Sequence, residues 1–165
     1  MKSVRVLKID PEEKMIYEER IEAESDEGIG KKIREYIGGF LQNAIDYTIP
    51  ENYGENFENV LYADEEGRLK NKEYGFFTNG LSLGVTVGRA VLLRTDEYGE
   101  DYKDTPFTEA EVMKNTVFLI ERENKMYIYN ESDREKLVKW QNEIQARVGK
   151  RMDDMRKENL WDMEI

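Results

Sequence analysis

Val85-Thr86-Val87-Gly88-Arg89-Ala90-Val91-Leu92-Leu93-Arg94-Thr95 is the run that decides the fold. Its Val and Leu content predicts a strand. Its apolarity is nearly continuous instead of alternating, which predicts a central strand buried on both faces. The fold expectation built on it is α+β: a mixed, mostly antiparallel sheet, one or two short helices, and a long C-terminal amphipathic helix.

The segments before this run supply the rest of the sheet. Val4, Leu7 and Ile9, with Val6, predict a first strand. Pro11-Glu12-Glu13-Lys14 reads as a turn, and Met15 to Ala23 as a second strand pairing with the first as a hairpin. Ser25 is a candidate N-cap with Asp26 and Glu27 behind it. Ile29, Ile33, Tyr36 and Ile37 fall at helical spacing, and Gly38-Gly39 ends that helix. Phe40 to Ile49 reads as extended and Pro50 stops it. Glu51 to Phe57 is a loop, Asn59 to Ala63 a short strand, and Asp64-Glu65-Glu66-Gly67 a turn leading to a brief strand at Arg68-Leu69-Lys70. Tyr74 to Gly84 reads as irregular.

After the central run, Asp96 to Phe107 reads as a polar loop. Thr108-Glu109-Ala110-Glu111 has capping-box spacing and predicts a short helix. Val117–Glu121 and Met126–Tyr129 predict a hairpin. Ser132-Asp133-Arg134-Glu135 is a second capping box, opening a helix to about Glu158. Leu137, Trp140, Ile144, Val148, Met152 and Met155 form its apolar stripe. One boundary is expected near Asn130, dividing a sheet domain over 1–130 from a helix over 131–165. That helix either packs back on the sheet, pairs two chains as a homodimer, or docks on a partner.

Composition narrows the chemistry. The 165 residues include no His and no Cys. His-based proton shuttles, Cys nucleophiles, disulfides and the common structural zinc sites are therefore absent. None of Ser3, Ser25, Ser82 and Ser132 sits in a Gly-x-Ser-x-Gly elbow. Gly28-Ile29-Gly30 has Ile33 where a dinucleotide fingerprint needs its third glycine. Asp96 to Asp104 resembles a calcium loop, but Tyr98 and Glu100 occupy ligand positions and the glycine comes early. The expectation is a protein with no catalytic residues, no cofactor and no metal. Met1-Lys2-Ser3-Val4 opens into a strand with no signal peptide, and no apolar run is long enough to span a bilayer, so the expected place is a bacterial cytoplasm.

The formal net charge is −11. It disfavours binding to a phosphate backbone and favours a basic protein partner. The charge is concentrated. Asp10 to Glu27 holds nine acids and two bases (−7), Glu51 to Glu66 six acids and no base (−6), and Asp96 to Glu111 seven acids and one base (−6). The expected partner contacts are Asp96, Glu97, Tyr98, Glu100, Asp101, Tyr102 and Asp104, acids with interleaved tyrosines. An alternative is a nucleotide-type ligand held by Lys70, Arg89 or Arg94, with Phe76 or Phe77 for the base and Asn79 in the adjoining loop.

A family likeness adds a context. Val4-Arg5-Val6-Leu7, Tyr36-Ile37-Gly38-Gly39-Phe40, Asn59-Val60-Leu61-Tyr62 with Glu65-Glu66-Gly67-Arg68-Leu69, and Thr78-Asn79-Gly80 before Gly88-Arg89-Ala90-Val91 follow one another in an order. That order resembles the domain of unknown function 3846 family, small proteins of phages, plasmids and other mobile elements, over about residues 4–113. The resemblance implies a mobile-element accessory protein and assigns no catalytic residue. With the charge, it sets the expected function: an anti-CRISPR-like factor that antagonises a host defence or nucleic-acid-handling protein by occluding a basic surface. The alternatives are sequestration of a nucleotide signal, and an assembly role through the terminal helix.

Overall fold

β1 (Lys2–Asp10) and β2 (Met15–Ala23) pair antiparallel from Lys2 against Ala23 to Asp10 against Met15. The computed structural model that shows this describes residues 1–38, 41–46, 57–64, 73–79, 85–96 and 100–157, and no side chains at 41–46, 57, 58, 144 and 147–157. The predicted brief strand at Arg68-Leu69-Lys70 lies outside the described residues. The β1–β2 turn closes locally: Asp10 Oδ1 accepts the Glu12 and Glu13 N–H groups at 3.1 and 3.2 Å.

α1 (Asp26–Ile37) follows its local signals. The Ser25 hydroxyl accepts the Gly28 N–H at 3.2 Å, and Asp26 and Glu27 occupy the first turn. Gly38, at φ 80°, ends the helix by donating to the Arg34 carbonyl at 2.9 Å. Ile29, Ile33 and Ile37 are buried.

β7 (Ala90–Asp96) is the centre of the larger sheet, whose order is β2-β1-β7-β4-β3, with β3 spanning Leu41–Asp46 and β4 Phe57–Asp64. Both faces of β7 are covered. Val91 and Leu93 lie with Ile29, Ile33 and Ile37 of α1. Ala90 and Leu92 lie with Phe76, Phe107 and Val112 on the other side. Each such fully buried aliphatic side chain contributes about 1.5–3 kcal/mol by leaving water.

The decisive run is not one strand. It breaks at Gly88, φ 86°, into β6 (Thr86–Val87) and β7, and the two belong to different sheets. The smaller sheet has the order β10-β9-β5-β6, with β5 at Tyr74–Thr78, β9 at Thr116–Arg122 and β10 at Lys125–Ile128. Among the described residues every strand pair is antiparallel, and two antiparallel sheets stand where a single mixed, mostly antiparallel one was expected. Tyr74–Thr78, expected to be irregular, is β5. Gly75 belongs there because a Cβ at that position would lie 2.6 Å from the Thr86 carbonyl oxygen. β8 (Tyr102–Lys103) is a strand inside the segment read as a loop. α2 (Glu109–Lys114) starts as predicted, with the Thr108 hydroxyl accepting the Glu111 N–H.

The chain divides into two compact units, Met1–Tyr129 and Asn130–Ile165. In the second, the cap is Asn130 and not Ser132: its side chain accepts the Ser132 N–H and opens a 3-10 turn over Glu131–Asp133. α3 (Arg134–Lys157) follows. Of the predicted stripe, Trp140 is buried and Leu137 half-buried, while Val138, off the stripe, is exposed. The side chains of Ile144, Val148, Met152 and Met155 lie outside the described residues. A long amphipathic helix is therefore not supported.

Candidate functional site

The predicted contact segment performs internal work. β1 pairs with β7 only from Leu7 to Ile9, and beyond that point Arg94 and Thr95 of β7 pair with β8 instead. Residues 102–105 thus fill the gap where β1 leaves β7. The Thr105 N–H bonds the Arg5 carbonyl at 3.0 Å, and Asp104 accepts the Arg5 N–H at 2.8 Å. The Arg5 guanidinium donates to the Thr105 and Phe107 carbonyls, both at 2.8 Å. Asp101 takes Lys2 Nζ at 2.7 Å, and Asp96 accepts the Glu100 and Asp101 N–H groups at 2.8 and 3.2 Å. Tyr102 is 8% exposed, its ring edge-on to Tyr62 at 6.3 Å. It is a core residue and not a surface anchor, because β8 turns it toward α1. Glu100 is exposed. Glu97 and Tyr98 lie outside the described residues.

Most described members of the alternative ligand set are buried or half-buried. Phe76 and Phe77 are buried, Phe76 within the core between the larger sheet and β5. The Asn79 N–H bonds the Asn115 carbonyl at 2.7 Å. Arg94 is half-buried in β7, and Lys70 lies outside the described residues. Arg89 stands at a concavity.

That concavity is a cleft of about 420 Å³ at the corner where the chain passes from one sheet to the other. Gly88 makes the corner and its N–H bonds the Tyr74 carbonyl at 2.8 Å, which sets Tyr74 and Arg89 side by side. The end of β1 contributes Asp10 and the turn Glu12; the last turn of α1 contributes Glu35 and Tyr36; Glu73 stands beside Tyr74. Four carboxylates thus face one guanidinium. Arg89 Nε is 3.5 Å from Asp10 Oδ2, and its Cζ lies 5.2 Å from the Tyr36 ring centre. Glu12, Glu35 and Glu73 are exposed and have no ion-pair partner among the described residues.

Tyr36 is the wall of this cleft. Lys8 Nζ lies 4.4 Å from its ring centre, and the Tyr17 ring stacks beside it at 6.5 Å. Its phenolic oxygen is buried and no partner meets hydrogen-bond geometry. Burial above all, then the neighbouring Tyr17 phenol, hold its pKa well above the ordinary tyrosine range.

Exposed carboxylates beside aromatic rings can accept an ammonium or guanidinium group. Among the described residues no group of three or more acids is gathered closely enough to hold a metal ion, and no helix is long and apolar enough to cross a membrane. The sequence reading passed over this cleft. Its signal was two Glu-Tyr pairs close before a glycine, Glu35-Tyr36 before Gly38 and Glu73-Tyr74 before Gly75. Comparison with protein-family models, with curated proteins and with solved structures returns no match for this chain.

Proposed function

We propose that this chain is a non-catalytic acidic binding protein that occludes a basic surface of another protein. The observation that carries the reading is the cleft: Glu12, Glu35 and Glu73 stand exposed around Tyr36 and Tyr74. The net charge of −11 extends the same preference over the molecule. The proposed context, a phage or mobile-element accessory factor directed at a host defence or nucleic-acid-handling protein, rests on the sequence resemblance to the domain of unknown function 3846 family alone. Asp96, Asp101 and Asp104 are bonded within the fold, so the contact assignment moves from them to the cleft.

The test is titration of an arginine-rich peptide against the protein and against the triple variant Glu12→Lys, Glu35→Lys, Glu73→Lys. All three residues are exposed, so the variant folds. Binding should weaken with salt in the wild type, and the variant should lose about tenfold or more in affinity, a change of about 1.4 kcal/mol. Equal affinity for both proteins sinks the cleft as the contact.

A further inference from the structure

We infer that the outer edge of β2 is a docking edge for an extended Lys/Arg-rich segment of the partner, added as a further antiparallel or parallel strand. The inference rests on the acidic-binding reading and names how that binding is made.

The geometry follows from strand parity. In β1 the odd residues bond away from β2: Arg5 through its N–H and carbonyl to 104 and 105, and Leu7 and Ile9 in register with β7. The even residues of β1 therefore serve β2, and they stand opposite its odd residues. Ile16, Glu18, Arg20 and Glu22 are left with N–H and carbonyl groups pointing outward. Two side chains confirm that direction. Glu109 of α2 accepts the Glu18 N–H at 2.8 Å, and Lys32 of α1 donates to the Glu22 carbonyl at 2.5 Å. Between these two clamps, both backbone groups of Arg20 and the carbonyl of Glu18 have no partner among the described residues. An open hollow of about 370 Å³ lies beside β2, its charged lining made of the acids Glu19, Glu22 and Glu35 and the bases Lys8, Arg20 and Lys32. It gives room for side chains of an added strand.

Charge selects the occupant. The net charge of −11 favours a cationic occupant, and β2 lies within the most acidic tract of the chain, nine acids and two bases between Asp10 and Glu27, of which Glu18 and Glu19 already meet Arg5 and Lys8. A second copy would bring the same tract against itself, and like charges directly opposed across strands are destabilising. A cationic extended segment satisfies the open backbone groups and the field together.

The test uses the full chain and three synthetic peptides as long as β2: alternating Lys and Val, the same peptide N-methylated throughout, and alternating Glu and Val. N-methylation keeps the charge and removes every ladder donor. The Lys–Val peptide should bind at low salt and slow amide exchange at Arg20 and Glu22 by about tenfold or more. The N-methylated peptide should bind at least about tenfold more weakly, the loss of one or two hydrogen bonds, and the Glu–Val peptide should not bind. Equal binding of the N-methylated peptide, or protection that spares Arg20, overturns edge pairing and leaves the acidic-binding reading standing. Failure of both cationic peptides to bind overturns the two together.

Discussion

Lys2 and Asp101 stand 99 positions apart in the chain and meet at 2.7 Å. Lys2 also bonds Asp26, at the first turn of α1, and Asp26 accepts the Tyr102 N–H at 3.1 Å. One ammonium thus ties β1, α1 and the wedge at β8.

This network sets an acid dependence. Burial alone would raise the Asp26 carboxyl, but the bonds from Lys2 and the Tyr102 N–H outweigh it and hold the pKa below the ordinary 3.8. A carboxyl depressed on folding stabilises above its unfolded pKa and loses that contribution as pH falls through the folded one. Asp26→Asn should therefore lower the urea midpoint at neutral pH, and the difference from wild type should shrink progressively as pH falls below 3.8. The groups are partly exposed, so the effect at neutrality should be about 1 kcal/mol or less. A difference that grows on acidification would contradict the network.

Alkali acts through buried phenols. Burial, reinforced by Tyr102, pushes the Tyr62 pKa up to about 12, and burial raises Tyr36 and Tyr102 as well. A group whose folded pKa is raised stabilises fully below its unfolded value near 10 and loses that contribution as pH climbs through the folded value. Ultraviolet titration of tyrosinate should show a class ionising only above pH 11, together with cooperative unfolding. Tyr36→Phe, which removes a buried oxygen lacking a hydrogen-bond partner, should leave the melting temperature unchanged or raised.

Glycine substitutions separate backbone strain from crowding. Gly38 has φ 80° and nothing within 4 Å of a built Cβ, so Gly38→Ala should cost only the left-handed strain, about 1 kcal/mol. Gly75→Ala would press a methyl to 2.6 Å from the Thr86 carbonyl oxygen, which is backbone, and to 2.7 Å from Met126 Cε. Its denaturant midpoint should fall further than that of Gly38→Ala; equal shifts would contradict the β5–β6 approach.

The β9–β10 hairpin turns through Glu123 (φ 52°) and Asn124 (φ 64°), between paired Arg122 and Lys125. Both residues are left-handed, the geometry of a two-residue turn that prefers Asn-Gly. Replacing Glu123→Asn together with Asn124→Gly should stabilise the protein by about 1 kcal/mol, read as a higher melting temperature.

Elements governed by neighbours in sequence were legible. Ser25 and Gly38 bound α1, Thr108 starts α2, and Met15–Ala23 is β2, because caps and alternation are local chemistry. The break at Gly88 was not, since a lone glycine within an apolar run marks a bend only once the second sheet exists to receive β6. The role of Asp101 and Asp104 was hidden for a related reason: their partners, Lys2 and Arg5, lie at the other end of the unit. The cleft shares this origin. Asp10, Tyr36, Tyr74 and Arg89 come from four separate segments that only the sheet corner brings together.

The passage of one short run through both sheets has a kinetic meaning. β6 cannot settle on β5 without fixing the start of β7, and besides the nearby β8 the described partners of β7 are β1 and β4, both remote in sequence. Loop closure on that scale must precede most of the reward, so Met1–Tyr129 should refold slowly and in a single all-or-none phase. Neither layer can melt while the other persists.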